Sequence, residues 1–146
     1  MMAHMLDHPG SSFKADKGIS RPFFQRASQS LRYNYALLEI ERYLTHSDLS
    51  LEWLAQRIGI SSRQLERDFQ AHGDGFIKCL IEKRLKLTCE MVESAHQNGR
   101  SVRIIDIAFA VGFRDLSNFN RAFRRRFNQN PRDYLRNLCL RPFPET

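Results

Sequence analysis

The stretch from Ser50 to Phe69 recurs, with its spacing nearly intact, between Arg103 and Phe123. Leu51, Leu54, Ala55, Ile58, Gly59 and Ile60 align with Ile104, Ile107, Ala108, Val111, Gly112 and Phe113 at an offset of 53 residues. After one inserted residue, Leu65, Arg67 and Phe69 align with Phe119, Arg121 and Phe123 at an offset of 54. Each copy reads as a short helix, a glycine turn and a second helix. Apolar residues recur at i, i+3, i+4 and i+7, and the glycine admits backbone that most residues resist. A duplication of this kind points to an all-α chain with two helix-turn-helix units.

The helix ends carry their own signals. Ser61 reads as an N-cap with Gln64 three residues on, the spacing of a capping box, and Asp115 caps the second copy. The small Ala55 and Ala108 leave room for the second helix of each copy to cross closely. Projection at 100° per residue separates two faces on these second helices. In the later copy Phe119, Phe123 and Phe127 form one stripe, and Ser117, Asn118, Arg121, Arg124 and Arg125 lie opposite. In the earlier copy Leu65 and Phe69 point inward and Arg63, Arg67 and Gln70 outward, with Gln64 and Glu66 on the flanks. One charged helix face of this kind is usually only solvated surface. Its recurrence makes a polyanion-facing surface the stronger reading.

Charge supports that reading. The chain of 146 residues carries a net +7, and the excess is uneven. Residues 31–100 hold ten Lys/Arg against ten Asp/Glu, whereas residues 101–146 hold nine against four. The second copy is therefore expected to supply most of the phosphate anchoring, the part of affinity that follows counterion release and salt.

The run IIDIAFAVGFRDLSNFNRAFRRRFNQNPRDYLR closely resembles the C-terminal signature of the AraC/XylS transcription regulators. SLEWLAQRIGISSRQLERDF resembles the first helix-turn-helix of that family, and the likeness covers about residues 33–138. The resemblance implies a seven-helix bipartite DNA-binding domain whose two helix-turn-helix subdomains are joined by a long linking helix. The layout expected is a flexible tail over 1–30, a first subdomain over 31–74, the linking helix over 75–96, a second subdomain over 97–140 and a short tail over 141–146. Arg84, Leu85 and Met91 fall on the family's basic and leucine positions in the linking helix. An initial helix is expected from about Tyr33 to Leu44, with Tyr33, Leu37, Ile40 and Leu44 on one face.

Three departures bear on local structure. Gly75 stands where the family usually has proline, Thr88 where it has alanine, and Asn128 where glycine ends the second recognition helix. Asn tolerates left-handed backbone best after glycine, and Asn130 followed by Pro131 makes a fresh N-cap with proline at the first helical position.

Carried over position by position, the family's base-reading residues fall on Arg63, Glu66 and Arg67 in the first copy. In the second they fall on Leu116, Ser117, Asn118 and Arg121. A guanidinium can grip guanine O6 and N7, and a carboxylate can accept from cytosine N4. Glu66 could equally pair with a neighbouring Arg on its own helix, and Leu116 projects nearer the apolar stripe, which leaves it out of the base-reading set. Gln70, Arg124, Arg125 and Arg132 suit the DNA backbone, whereas Arg126 can lay its stem beside the aromatics. Two such helices read successive major-groove faces when they meet the duplex roughly 34 Å apart.

The partner this implies is double-stranded DNA, with RNA polymerase as a further partner by resemblance, in the bacterial cytoplasm at the nucleoid. The alternative is an architectural or protein-interaction module that binds DNA with little sequence choice. Neither cofactor, metal nor small-molecule effector is expected on this chain. Cys79, Cys89 and His96 are spaced too far along a helix to gather a zinc ion, and Cys139 adds no paired motif. No Ser/His/Asp arrangement, phosphate loop or apolar run of about 18 residues stands out, so neither catalysis nor a membrane span is expected. Residues 1–30, rich in Ser, Gly, Pro and charge, read as tail or linker, with Phe23 and Phe24 able to dock on the domain. The chain reads either as a stand-alone regulator or as the DNA-binding part of a longer protein.

Overall fold

The computed structural model describes residues 21–139. Every regular element among them is helical: α1 Arg21–Arg26, α2 Gln29–Tyr43, α3 Leu51–Ile58, α4 Ser62–His72, α5 Phe76–Gln97, α6 Ile104–Ala110, α7 Leu116–Phe127 and α8 Pro131–Cys139. The all-α expectation holds, with eight helices among the described residues where the resemblance implied seven. The extra helix is α1, which lies inside the stretch expected to be a tail, so that expectation is corrected from residue 21 onward. The reason is apolar: Phe24 is buried at 2% exposure and packs on Tyr35 with ring centroids 4.7 Å apart. α2 likewise starts before Tyr33, because Ser28 caps it by accepting from Leu31 N at 3.2 Å. The proposed tail over 141–146 lies outside the described residues.

The chain forms two compact units, and the division falls between Leu80 and Ile81, within α5. In the first unit α2, α3 and α4 pack on one another. Ala36 and Ile40 of α2, Leu54, Ala55 and Ile58 of α3, and Leu65 and Phe69 of α4 are all but inaccessible, as are Phe76 and Leu80 at the start of α5. Two charges from α2 enter this interior. Arg32 grips Asp68 of α4 through two hydrogen bonds, Nε to Oδ2 at 2.6 Å and Nη2 to Oδ1 at 2.9 Å. Glu39 pairs with Arg57 of α3, whose guanidinium also lies 4.6 Å from the centroid of the Tyr43 ring. Such pairing offsets much of the cost of burying these charges.

The second unit has an aromatic core. Leu85 and Val92 of α5, Ile107, Ala108, Val111 and Phe113 around α6, and Phe119 and Phe123 of α7 are buried together, with Phe127 and Tyr134 packed against them. Phe113 meets Phe119 edge-on at 5.1 Å, and Phe123 meets Phe127 at 4.6 Å and Tyr134 at 5.4 Å. Such ring pairs add to the area they bury.

The two copies turn in the same way. Gly59 (φ 86) and Gly112 (φ 105) both take backbone that side chains resist. In each copy the following amide reaches back five residues, Ile60 N to Ala55 O at 3.1 Å and Phe113 N to Ala108 O at 3.1 Å. This is the six-to-one bond of a Schellman turn, made twice by equivalent residues. Asn128 ends α7 at φ 55, its N–H donating to Arg124 O, as its left-handed tolerance led one to expect. Asn130 Oδ1 accepts from Asp133 N at 2.8 Å and so starts α8 beside Pro131.

Candidate nucleic-acid interface

α7 presents the sharper of the two faces. Its buried side is Phe119 and Phe123, while Ser117, Asn118, Arg121, Arg124 and Arg125 are all exposed. Asp115 fixes the helix start, its Oδ1 accepting from Asn118 N at 2.7 Å. Its Oδ2 accepts from the Asn118 amide, whose own Oδ1 accepts from Arg121 Nη2. Asp115, Asn118 and Arg121 thus form one chain of hydrogen bonds along the outer face of the first two turns. A guanidinium has five N–H donors, so Arg121 keeps others for a ligand. Leu116 is only half buried and packs against the aromatic core, the side to which its helical projection assigned it.

The basic residues separate by what they touch. Arg126 donates to both carboxylate oxygens of Glu82 on α5, at 2.7 and 2.9 Å, and lies 5.2 Å from the Phe127 ring centroid. It is thereby turned along the domain surface, whereas Arg124, Arg125 and, in the first turn of α8, Arg132 are exposed.

α4 shows the same division with a difference. Arg63, Arg67 and Gln70 are exposed, and Leu65 and Phe69 are buried. Ser61 caps the helix by accepting from Gln64 N at 3.1 Å, but the Gln64 amide donates to Asp68 Oδ1 at 3.0 Å instead of closing the expected capping box. Glu66 is turned toward the start of α5. Its Oε2 accepts from Phe76 N at 3.2 Å and its Oε1 from the Gln70 amide at 2.9 Å.

Two residues support these helices from within: Asp68, passed over in the sequence, and Arg84, placed there only by resemblance on the basic position of the linking helix. Asp68 sits on the buried side of α4 beside Leu65 and Phe69, and its pairing with Arg32 ties the helix to α2. The signal was present, since Arg32 and Glu39 interrupt the otherwise apolar stripe of α2 in register with Ala36, Ile40 and Tyr43. The second is Arg84, 7% exposed in α5, whose guanidinium packs on Gly112. Burial, reinforced by the like charge of Arg114, lowers its pKa to about 10, which leaves it protonated at neutral pH. Thr88, in a position where the family carries alanine, donates its hydroxyl to Arg84 O at 2.9 Å and so needs no other partner for that proton.

Residues 54–137 match a helix-turn-helix domain family. The transcriptional activator RhrA of Rhizobium meliloti (strain 1021) is 31% identical over 99 residues, which is 68% of this chain and 31% of that protein. The chain spans about a third of the length of the curated relatives it matches. The C-terminal domain of AraT, a response regulator from Geobacillus stearothermophilus, is similar at a TM-score of 0.69 with 26% identity, over 82% of this chain and 95% of that one. A transcriptional regulator of Chromobacterium violaceum, described as having an AraC-type DNA-binding domain, gives a TM-score of 0.64 with 27% identity, over 77% and 96% of the two chains.

Proposed function

The chain belongs to the AraC-type helix-turn-helix family, and from that premise we propose that it regulates transcription by reading two successive major-groove segments of double-stranded DNA, one with each unit. The observation that carries the reading is the face of α7, where Ser117, Asn118, Arg121, Arg124 and Arg125 stand exposed on the side opposite buried Phe119 and Phe123. A helix that is aromatic on one side and cationic or amide-bearing on the other is fitted to lie in a groove lined by base edges and phosphates.

In this reading Ser117, Asn118 and Arg121, near the N-terminal end of α7, face base edges. Arg124, Arg125 and Arg132 grip phosphates, and Arg63 and Arg67 serve α4. The concentration of positive charge in residues 101–146 gives the second unit the larger share of phosphate anchoring. Regulation is by activation, as the name of the relative RhrA suggests, with RNA polymerase as the protein partner and the bacterial nucleoid as the place of action. No helix among the described residues is long and apolar enough to cross a membrane.

The test compares affinity for a selected duplex with affinity for a scrambled one at near-physiological salt. A ratio of roughly 10³ or more is expected of a regulator. A ratio near one would support instead an architectural protein with little sequence choice.

A further inference from the structure

α5 begins without a cap of its own. Its N-cap residue is Gly75, which has no side chain, and Asp74 just before it is exposed and pairs with Lys78 at 2.6 Å. The carbonyl of Gly75 already accepts from Cys79 N at 3.2 Å, as an N-cap carbonyl should. The first orphan donor, Phe76 N, is met from ten residues back, by Glu66 Oε2 at 3.2 Å. An anionic acceptor at that place also suits the positive end of a 22-residue helix.

The fit depends on Gly75. A β-carbon there would stand 2.5 Å from Glu66 Oε1 and 3.0 Å from Gln70 Nε2, and the residue has φ +94. Proline, which holds φ near −65°, cannot take that backbone. Glycine at 75 and glutamate at 66 therefore belong together: the one opens the space that the other fills. Gln70 is drawn into the same cluster, its amide donating to Glu66 Oε1. Both oxygens of Glu66 thus already accept hydrogen bonds within the unit.

We infer that Glu66 is a positioning residue that caps α5 from the recognition helix, and that it and Gln70 are withheld from the bases, leaving Arg63 and Arg67 as the reading pair of the first unit. The inference deepens the DNA-reading role proposed above and rests on it. Arg63 and Arg67 are four residues apart on one face, about 6 Å along the helix. That is close to two base-pair steps of about 3.4 Å. Two guanidiniums select guanine at both places, and the first half-site carries no cytosine chosen by a carboxylate.

Duplexes selected from a randomised pool by the wild-type protein and by Glu66→Ala, Glu66→Gln, Arg63→Ala and Arg67→Ala test this, together with hydrogen exchange at the Phe76 amide. Glu66→Ala is expected to keep the preferred base at every position while its Phe76 amide exchanges about fivefold faster or more. Glu66→Gln, which retains an acceptor, should restore most of that protection. Arg63→Ala and Arg67→Ala should each relax one guanine by about tenfold or more. Loss of a single base preference in Glu66→Ala, or an unchanged Phe76 amide, would overturn the inference. Failure of the wild-type protein to select any sequence would instead sink the DNA-reading role, while the exchange measurement would still judge the cap.

Discussion

Arg84 lies across Gly112 so closely that a β-carbon at position 112 would stand 2.9 Å from its Cζ, Nε and Nη2. The turn between α6 and α7 is therefore set by two requirements at one residue, a left-handed backbone at φ +105 and room for a buried guanidinium. Gly112→Ala is expected to lower stability by about 2 kcal/mol or more, since left-handed backbone alone costs a side chain about 1–3 kcal/mol. Gly99 provides the control, having φ +66 with nothing within 4 Å of an added β-carbon. Thermal unfolding of the two alanine variants should show the larger loss at 112, and equal losses would remove the role given to Arg84.

The first unit carries two ion pairs in its interior. Asp68 is fully buried and its two oxygens are taken by Arg32. Asp68→Ala leaves that guanidinium uncompensated, and a loss of about 3–5 kcal/mol is expected. Replacing both partners with apolar residues of similar size should recover much of it. Denaturant unfolding of the single and double variants checks this, and a double variant as unstable as the single would contradict it.

Stability of the second unit should fall in alkaline solution. Burial raises the Cys89 thiol above its ordinary 9.0, against the opposing hydrogen bond with Tyr134. Burial also raises the Tyr134 hydroxyl above its ordinary 10.0, helped by Cys89 and Glu93. Between those ordinary values and the higher folded ones, the unfolded chain releases protons that the folded unit keeps. Stability is therefore unaffected by the pair below about pH 9 and declines above it. The midpoint of thermal unfolding, followed from pH 7 to 10.5, should drop less steeply when both groups are replaced, in Cys89→Ala/Tyr134→Phe, than in the wild type.

Arg121 and Arg125 are both exposed on α7, but only Arg121 joins the hydrogen-bond chain through Asn118 to Asp115 at the helix start. Arg121→Ala is expected to relax base choice at one position, by about 1–3 kcal/mol of discrimination. Arg125→Ala should weaken all duplexes together and reduce the salt slope by about one. Salt titrations on a selected and a scrambled duplex separate the two. Equal losses on both duplexes for both variants would refute the division.

Much of this was legible in the residues, and what was not had physical reasons. The offset of 53 located both turns because glycine and the apolar spacing serve the same Schellman geometry in each copy. Asn128 and Asn130 could be placed because left-handed tolerance and N-capping are local properties. Asp68 escaped notice, and Arg84 was placed by resemblance without its contact, because their roles depend on partners 36 residues away in one case and 28 in the other. The contact of Glu66 with α5 was hidden for a similar reason. On a helical wheel it flanks the outward face, but its carboxylate follows the unmet amide at Phe76, which no projection of α4 alone contains. α1 was half legible: the rings of Phe23 and Phe24 stood out as able to dock, and Phe24 does, but the Ser-, Gly- and Pro-rich composition around them masked the helix that carries them.

The most direct test of the account is selection of bound duplexes from a randomised pool of about 30 base pairs at near-physiological salt, followed by sequencing. Two dissimilar enriched blocks are expected about one helical turn, roughly 10 base pairs, apart, one of them carrying paired guanines. A pool that emerges without enrichment, or with one block alone, would contradict a protein that reads DNA with both units.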